Sequence, residues 1–333
     1  ALKAEGALDE MCGSIRLFTV PAEEGVSASY REELRKSGRV RYYAGKSEVL
    51  YRGLLDDVDI PMMVHLRGEP LKMTCPTGTN GNVRKKATFI GKSAHAGGSP
   101  HKGINALYAA TTALSAANAL RETFEEKDTV RMHPIITKGG NVVNAIPDEV
   151  RIESYLRAAT MEAMHNEGKK INRALAGCAA AMGCGVSFID VHGFAPRYND
   201  VTMKNVFEKI GLEFFAEEDV RFTENWGTAS SDMGDISCVM PAVHPSIGGA
   251  QGTAHGMDYT IADPYTACVV SAKVQIGVLA YLLENDGAEA KIVLANKQVP
   301  YASKEEYFAA VDALSFDGEG VIYNEDGTVT LKF

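Results

Sequence analysis

The chain has little of what cysteine-based metal sites, redox motifs and nucleic-acid-binding proteins require. Its six cysteines are scattered over 333 residues and no C-x-x-C pair occurs, so neither a zinc knuckle nor a dithiol redox motif is indicated. Such thiols in apolar surroundings favour reduced cysteines in a cytoplasmic protein. Lys and Arg number 34 against 43 Asp and Glu. The formal net charge of -9 argues against nucleic acid as a partner, because phosphate binding needs a basic face.

The sequence also lacks a long uncharged apolar segment. The longest apolar run, residues 267–283, contains Lys273 and Gln275. It is too short and too polar for a bilayer span, and it predicts a buried helix instead. The N-terminal residues show no basic segment followed by an apolar one, which is the pattern of a secretory signal. We therefore expect no membrane partner.

Two adjacent carboxylates, Glu23 and Glu24, follow the apolar run 14–20, which has the length of a buried strand. Ligands of α/β proteins bind at the carboxyl ends of such strands. One carboxylate there can bind a metal ion while the other takes a proton from metal-bound water. Adjacent glutamates are common on protein surfaces, so the pair by itself is a weak signal.

Two histidines strengthen this interpretation. His65 ends a second predicted strand, residues 59–64, and His255 lies in the glycine-rich loop 248–255. Each histidine alone could have a purely structural role. Three candidate ligands at three loop ends indicate a metal site more strongly than any of them separately.

The middle of the chain predicts a domain with its own pattern of elements. Its order is strand, helix, strand, strand, helix, strand, which is the ferredoxin-like split motif. The predicted strands are residues 86–91, 130–137, 149–156 and 185–191, and the predicted helices are residues 104–120 and 160–182. Sheet edges in such a domain often pair across a dimer.

Three polar residues of this domain are candidates for substrate binding. His95 lies in the flexible stretch 93–98, Asn144 in the loop 139–147, and Arg157 at the end of the next strand. A histidine, an amide and a guanidinium can together hold an oxyanion and a carboxylate. The residues alone leave a second interpretation open, in which they cap turns and form surface pairs.

Four motifs carry a resemblance to a known family. They are P-A-E-E-G (residues 21–25), G-K-S-A-H-A-G-G-S-P-H-K-G-I-N-A-L (91–107), I-T-K-G-G-N-V-V-N-A-I-P (136–147) and S-S-D-M-G-D (230–235). From about residue 13 to 283 the chain resembles the metallo-amidohydrolases, which include aminoacylases, carboxypeptidase G and indole-acetyl-amino-acid hydrolases. It is most similar to their bacterial amidohydrolase and aminobenzoyl-glutamate hydrolase branch.

This resemblance implies an α/β fold with three parts. Residues 1–78 and 197–284 would form a zinc-peptidase-like catalytic domain that is incomplete at its N-terminus. Residues 79–196 would be an inserted ferredoxin-like lid and dimerisation domain, and residues 285–333 a C-terminal extension.

The resemblance also implies a role for seven residues and a cofactor. The residues are Glu23 as the general base; Glu24, His65 and His255 as metal ligands; His95, which would reach the partner subunit's site to stabilise the oxyanion; and Asn144 and Arg157 as substrate-binding residues. The implied cofactor is two divalent metal ions, zinc or alternatively manganese, with part of the site present in this chain.

The chain departs from the family pattern in one respect. The related branch supplies further metal ligands from an H-x-C-G-H segment upstream of the E-E strand, and this sequence contains no such segment. We expect either that an N-terminal part is missing, or that it is a separate chain, or that this is a degenerate relative.

The sequence therefore predicts metal-dependent hydrolysis of the amide bond of small N-acyl or N-aroyl amino acids or dipeptide-like substrates. We expect a cytoplasmic homodimer that pairs through the lid domain, with impaired activity if the N-terminal part is missing. The alternative is a non-catalytic binding or assembly protein that retains the lid and the dimer interface.

Overall fold

The structure, a computed structural model, describes residues 6, 9, 11–21, 27–68 and 70–333. The chain divides into two compact units. The first unit comprises residues 1–79, 197–227 and 231–307, and the second comprises residues 80–196, 228–230 and 308–333. The segment predicted as a C-terminal extension, residues 285–333, is thus divided between the two units.

Both units contain helices and strands. The α-helices are α1 (Ala28–Lys36), α2 (Gly45–Tyr51), α3 (Ala106–Ala119), α4 (Met161–Ala181), α5 (Val201–Gly211), α6 (Met233–Ser237), α7 (Ser271–Asn296) and α8 (Lys304–Ala313). The strands of the first unit are β1 (His65–Gly68), β2 (Met73–Cys75), β3 (Gly78–Thr79), β9 (Arg197–Tyr198), β10 (Val220–Phe222), β11 (Trp226–Gly227), β12 (Ser246–Gln251) and β13 (Thr260–Ile261). Those of the second unit are β4 (Gly81–Ile90), β5 (Arg131–Met132), β6 (Ile135–Lys138), β7 (Glu149–Ala158), β8 (Gly185–Phe194), β14 (Phe316–Glu319), β15 (Val321–Tyr323) and β16 (Val329–Leu331).

The second unit has the predicted ferredoxin-like arrangement. Its antiparallel sheet has the order β14-β8-β4-β7-β5, with β6 also pairing with β7, and α3 and α4 pack together on it. Local sequence explains where the helices begin and end. The Asn105 side chain caps α3 by accepting from two backbone N–H groups, and the Thr160 side chain caps α4. Gly183, at φ 67, follows α4 in the left-handed conformation that favours glycine.

The C-terminal residues complete this sheet. β14 pairs antiparallel with β8 over four residues, and the rings of Phe188 and Phe316 lie 6.2 Å apart. The C-terminal residues also form an antiparallel hairpin of β15 and β16. One edge of the sheet is therefore occupied by β14, and β5 and β6 form the other.

The first unit contains a mixed sheet packed against helices. β12 pairs parallel with β1 and antiparallel with β2, and β2 pairs parallel with β10. Met73 and Ile247 of this sheet are buried in one cluster with Phe207 of α5 and Val274 of α7. This cluster fixes the strands that carry the candidate site residues of the first unit.

Two strand predictions for the first unit were wrong. Residues 11–21 form no strand. The backbone N–H of Cys12 donates to Leu283 O at 2.8 Å. The run 59–64 contributes an isolated bridge between Met62 and Val243, and the regular strand begins later. Pro61 explains the shift, because proline has no N–H to donate to a ladder. As a result, His65 begins a strand instead of ending one.

The long apolar helix ends where the apolar run ends, and a second helix follows it directly. Within the described residues, Tyr265–Asn296 is the one helical span long and apolar enough to cross a membrane, by length and composition alone. Its backbone leaves helical geometry at residues 284–287, so two helices meet there. Val274, Val278 and Leu282 are buried in the core cluster, which agrees with the predicted burial of this helix.

Candidate functional site

The structure brings His95 and Asn144 together in the second unit. An isolated antiparallel bridge joins His95 to Ala145, the residue next to Asn144. The Ala96 N–H donates to Asn144 O at 2.9 Å, and the Ile146 N–H donates to Ala94 O at 2.9 Å. Two loops that are about fifty residues apart in sequence therefore form one exposed surface, which we call the His95–Asn144 surface.

Hydrogen bonds decide which nitrogen of His95 carries the proton. The N–H groups of Gly97 and Gly98 donate to its Nδ1 at 3.2 and 2.9 Å. Because Nδ1 accepts both bonds, the neutral ring must carry its proton on Nε2. The side chain is exposed and presents this Nε2–H to whatever lies over the surface. Such a donor is suited to stabilising a developing oxyanion.

Arg157 lies at the other end of the same strand from that surface. β7 begins at Glu149, close to the His95–Asn144 surface, and Arg157 is eight residues further along (157 minus 149). At about 3.3 Å per residue the separation is roughly 26 Å. The Arg157 guanidinium donates to Ser230 Oγ at 2.9 Å and lies 5.8 Å from the centre of the Tyr155 ring. Within one chain, Arg157 and Asn144 therefore do not form a single small site.

His65 of the first unit has the tautomer of a metal ligand. Its Nδ1 lies 2.5 Å from Leu66 O, and a carbonyl can only accept, so Nδ1 carries the proton. The lone pair of Nε2 is left for a cation, in the arrangement that orients most metal-binding histidines. The side chain is exposed.

His255 lies in a loop that follows the opposite end of the paired strand. β1 and β12 run parallel, with His65 opposite Ser246 at the start of β12, whereas His255 comes after β12 has ended at Gln251. His255 is exposed and has φ 63, a left-handed conformation that is uncommon outside glycine. The predicted pairing of these two histidines as ligands stays a prediction.

The two glutamates of the candidate site, Glu23 and Glu24, lie outside the described residues. Among the residues that are described, no group of three or more His, Cys, Asp or Glu side chains is placed to hold a metal ion. Their predicted roles as general base and metal ligand therefore also stay predictions.

Sequence reasoning missed a buried polar cluster in the first unit, formed by His244, Arg197, Ser231, Lys46 and Asp232. Arg197 Nη1 lies 2.6 Å from His244 Nδ1, and Ser231 Oγ lies 3.3 Å from the same atom. Lys46 Nζ and Asp232 Oδ1 form an ion pair at 2.6 Å, with both side chains at most 5% exposed. The available signals were a histidine within an apolar segment and the aspartate of the S-S-D-M-G-D motif.

The location of this cluster relates it to the predicted site. The rings of His65 and His244 have their centres 5.9 Å apart. Burial is the main cause of a His244 pKa well below the usual value, and the neighbouring Arg197 guanidinium lowers it further. His244 is thus a neutral imidazole beside a predicted metal ligand.

Comparisons with known proteins show which proteins the chain is similar to. Residues 77–179 match the M20_dimer family, described as the peptidase dimerisation domain. The mouse (Mus musculus) Xaa-Arg dipeptidase is 32% identical over 209 residues, which cover 60% of this chain and 46% of the relative. One of the two subunits of the Escherichia coli p-aminobenzoyl-glutamate hydrolase is 30% identical, over 45% of this chain and 32% of that protein. The chain spans about half the length, or less, of these curated relatives.

Solved structures show the same fold. A putative aminohydrolase from methicillin-resistant Staphylococcus aureus has a TM-score of 0.60 at 21% identity, covering 72% of this chain and 64% of that one. A dinuclear metal-binding peptidase of the M20 family from Bacillus subtilis has a TM-score of 0.55 at 18% identity, covering 72% and 62%. The chain is a relative of the M20 peptidases and amidohydrolases, which confirms the resemblance in its motifs. The mixed α/β fold with an inserted ferredoxin-like dimerisation domain is confirmed as well.

Proposed function

We propose that this protein is a metal-dependent amidohydrolase that acts as a cytoplasmic homodimer and cleaves the amide bond of an N-acyl or N-aroyl amino acid or a dipeptide-like substrate. The observation that carries the proposal is the Nε2–H of His95. Its tautomer is fixed by Gly97 and Gly98, and it lies on a surface shared with Asn144. The hydrolase relatives and the dimerisation-domain match support the proposal.

The separation within β7 supports a site built by two chains. A small acyl amino acid is far shorter than the roughly 26 Å between Arg157 and the start of β7. Arg157 of one chain and the His95–Asn144 surface of the same chain therefore cannot hold one such substrate. A two-fold symmetric dimer would solve this, since each site could take Arg157 from one chain and His95 from the other.

The residues of this chain would divide the reaction between them. Glu23 would take a proton from the attacking water and later give it to the leaving amine. The Nε2–H of His95 would donate to the oxyanion, and Asn144 would help to hold the substrate at the same surface. Arg157 would bind the carboxylate of the amino-acid part, as a planar guanidinium does well.

The proposed cofactor is two divalent metal ions, zinc or manganese, with Glu24, His65 and His255 as ligands from this chain. The tautomer of His65 fits this role, because its Nε2 lone pair is free. When bound, the ions would lower the pKa of a water molecule and polarise the amide carbonyl. Two of these three proposed ligands, His65 and His255, lie among the described residues.

The names of three relatives indicate two chemical classes of substrate, dipeptides and N-acyl or N-aroyl amino acids. One is named as a dipeptidase for Xaa-Arg, and others are named for p-aminobenzoyl-glutamate and for indole-3-acetyl-aspartic acid. All of these contain an amide bond next to an amino-acid carboxylate. We propose that carboxylate as the common feature recognised here.

A second candidate function is a non-catalytic binding or assembly protein. The observation in its favour is the lack of a group of three metal-binding side chains in the described part of the chain. Such a protein would keep the dimerisation domain and bind no metal tightly.

Metal content and hydrolysis by the purified chain distinguish the two functions. The chain is loaded with zinc or manganese, dialysed, analysed by mass spectrometry, and assayed with p-aminobenzoyl-glutamate and an Xaa-Arg dipeptide. The amidohydrolase should retain metal and release the amine, and Glu23→Ala should retain metal while losing nearly all turnover. A chain that keeps no metal and hydrolyses neither substrate would support the binding protein.

Arg157 has its own test in the same assay. Arg157→Ala should mainly raise KM for substrates with a free carboxylate and affect the matching amides much less. Arg131→Ala, which removes the exposed arginine paired with Arg157 across the ladder, is the matched control. An equal effect of Arg157→Ala on both kinds of substrate would contradict the role.

A further inference from the structure

The buried cluster around His244 has a hydrogen-bond pattern that determines what His244 can bind. An arginine side chain has no acceptor, so Arg197 Nη1 must donate to His244 Nδ1 across their 2.6 Å contact. Nδ1 is therefore unprotonated, and the proton of the neutral ring is on Nε2. The imidazolium form would place two donors against each other, which keeps the ring neutral. This tautomer follows from the contact alone.

The donor that results is buried without an acceptor. His244 is 3% exposed, and its Nε2 has no hydrogen-bond partner among the described residues. Arg197 is 8% exposed, and its Nε also has no partner there. A buried N–H left without an acceptor is destabilising, because the hydrogen bonds it made to water in the unfolded chain are not replaced. Two buried donors of the cluster, His244 Nε2–H and Arg197 Nε–H, thus lack an acceptor among the described residues.

The position of His244 is fixed from several directions. Its backbone N–H donates to Asn199 Oδ1 at 2.9 Å, and Val243 before it bridges to Met62. β12 begins two residues after it. The ring cannot turn toward another acceptor without breaking the Arg197 contact. The ring is therefore held in one orientation, as a binding group requires.

The chemistry of the missing acceptor follows from the charges around the ring. The guanidinium of Arg197 is the positive charge in direct contact with the ring, and the charge of Lys46 is balanced by its ion pair with Asp232. A metal cation is disfavoured there, because Nε2 carries a proton and the neighbouring guanidinium is positive. An anionic oxygen would accept from Nε2–H and gain from the positive surroundings.

We infer that His244 Nε2–H, locked in its tautomer by Arg197, is the donor of a buried subsite for a carboxylate oxygen. The inference rests on the proposed function for the identification of this carboxylate as part of the substrate. Arg197 acts as a positioning residue, since it sets the tautomer through its bond to Nδ1. The predicted metal ligands are not needed for this subsite.

The first test uses acetate as the probe and follows the thermal unfolding of the full chain. Acetate should raise the unfolding temperature in a saturable way, and sodium chloride at equal ionic strength should not. His244→Leu should weaken acetate binding about tenfold to a hundredfold, the range for loss of one hydrogen bond to a charged group. His244→Gln, which keeps an N–H donor near the Nε2 position, should retain part of the binding. His133→Gln, at an exposed histidine of the second unit, is the control and should behave as the wild type.

A second measurement does not depend on the variants remaining folded. In the wild-type chain labelled with ¹⁵N-histidine, the rings of His95 and His244 should both show an acceptor-type Nδ1 and a protonated Nε2, and acetate should shift the Nε2–H signal of the buried His244 ring downfield. A His244 signal with the proton on Nδ1 would overturn the tautomer lock. A signal that acetate leaves unchanged, or equal acetate binding by wild type and His244→Leu, would overturn the subsite.

Two results separate this inference from the proposed function. Acetate binding does not require turnover, so a chain that binds acetate through His244 and hydrolyses nothing would contradict the amidohydrolase and keep the subsite. Zinc retention should be the same in His244→Leu and in the wild type. Loss of zinc in this variant alone would show that His244 is a metal ligand and would overturn the inference.

Discussion

An ion pair lies in the core of the second unit. Lys85 of β4 and Asp190 of β8 face each other in register, and their side chains, at most 7% exposed, form an ion pair at 2.6 Å. Asn172 of α4 donates to the same carboxylate oxygen at 2.6 Å. Burial lowers the pKa of Lys85, and the charge and hydrogen bond of Asp190 oppose that shift. A buried pair of this kind is costly to break on one side only.

Lys85→Met should therefore destabilise the protein by about 3–5 kcal/mol, because it leaves the carboxylate of Asp190 buried without its cation. The measurement is the free energy of unfolding from a denaturant titration. Lys85→Met combined with Asp190→Leu should recover most of the loss, since both charges are then removed. Lys127→Met, in the exposed pair of Lys127 with Glu125, is the control and should have no measurable effect. A single Lys85→Met variant as stable as the wild type would contradict the argument.

Strand β14 covers one edge of the sheet in the second unit and leaves the opposite edge open. It covers the outer side of β8, and neighbouring backbone bonds extend the contact, including Gly320 N–H to Val186 O at 2.7 Å. The opposite edge consists of the short strands β5 and β6, where Ile135 is 63% exposed. An uncovered edge is a template for pairing with another chain. The dimer proposed above would then be expected at β6.

Deletion of residues 315–333 should expose the long edge of β8 and cause association beyond the state of the full chain. Light scattering after size-exclusion chromatography measures this as a mass that grows with protein concentration. Glu325→Ala, at an exposed position of the terminal turn, leaves β14 in place and is the control. A truncated chain with the mass of the full chain at every concentration would show that β14 does not protect this edge.

At the scale of the whole molecule, the proposed function depends on two copies. His95 and Arg157 lie at opposite ends of β7, so a complete site would combine one from each chain. The dimerisation-domain match over residues 77–179 covers both residues.

Mixing two inactive variants tests this arrangement. Once hydrolysis has been established for the wild type, His95→Ala and Arg157→Ala should each have little activity alone. After unfolding and refolding together in equal amounts, random pairing under two-fold symmetry should restore about one quarter of the sites. Each mixed dimer then has one site with both residues intact. Activity that stays at the level of the separate variants would place both residues in sites within one chain.

The sequence by itself determined the features that depend on neighbouring residues. Helical spacing, the Asn105 and Thr160 caps and Gly183 set the two helices of the second unit, and alternation set its strands. The loop motifs around His95 and Asn144 carried the family resemblance. Pro61 shows the limit of this reasoning, because the apolar run 59–64 predicts a regular strand although proline has no N–H to donate to a ladder.

The tertiary structure alone decided which distant segments meet. Asn144 and Arg157 are only thirteen residues apart in sequence (157 minus 144). The extended strand β7 nevertheless places them far apart, because Asn144 precedes the strand and Arg157 lies near its end. His244 and Arg197 are far apart in sequence and in contact in the fold. Likewise, the residues of β8 and β14 do not by themselves indicate that these two strands pair. Such pairings result from competition among many segments for the same buried surface and hydrogen bonds, and no local pattern encodes the outcome of that competition.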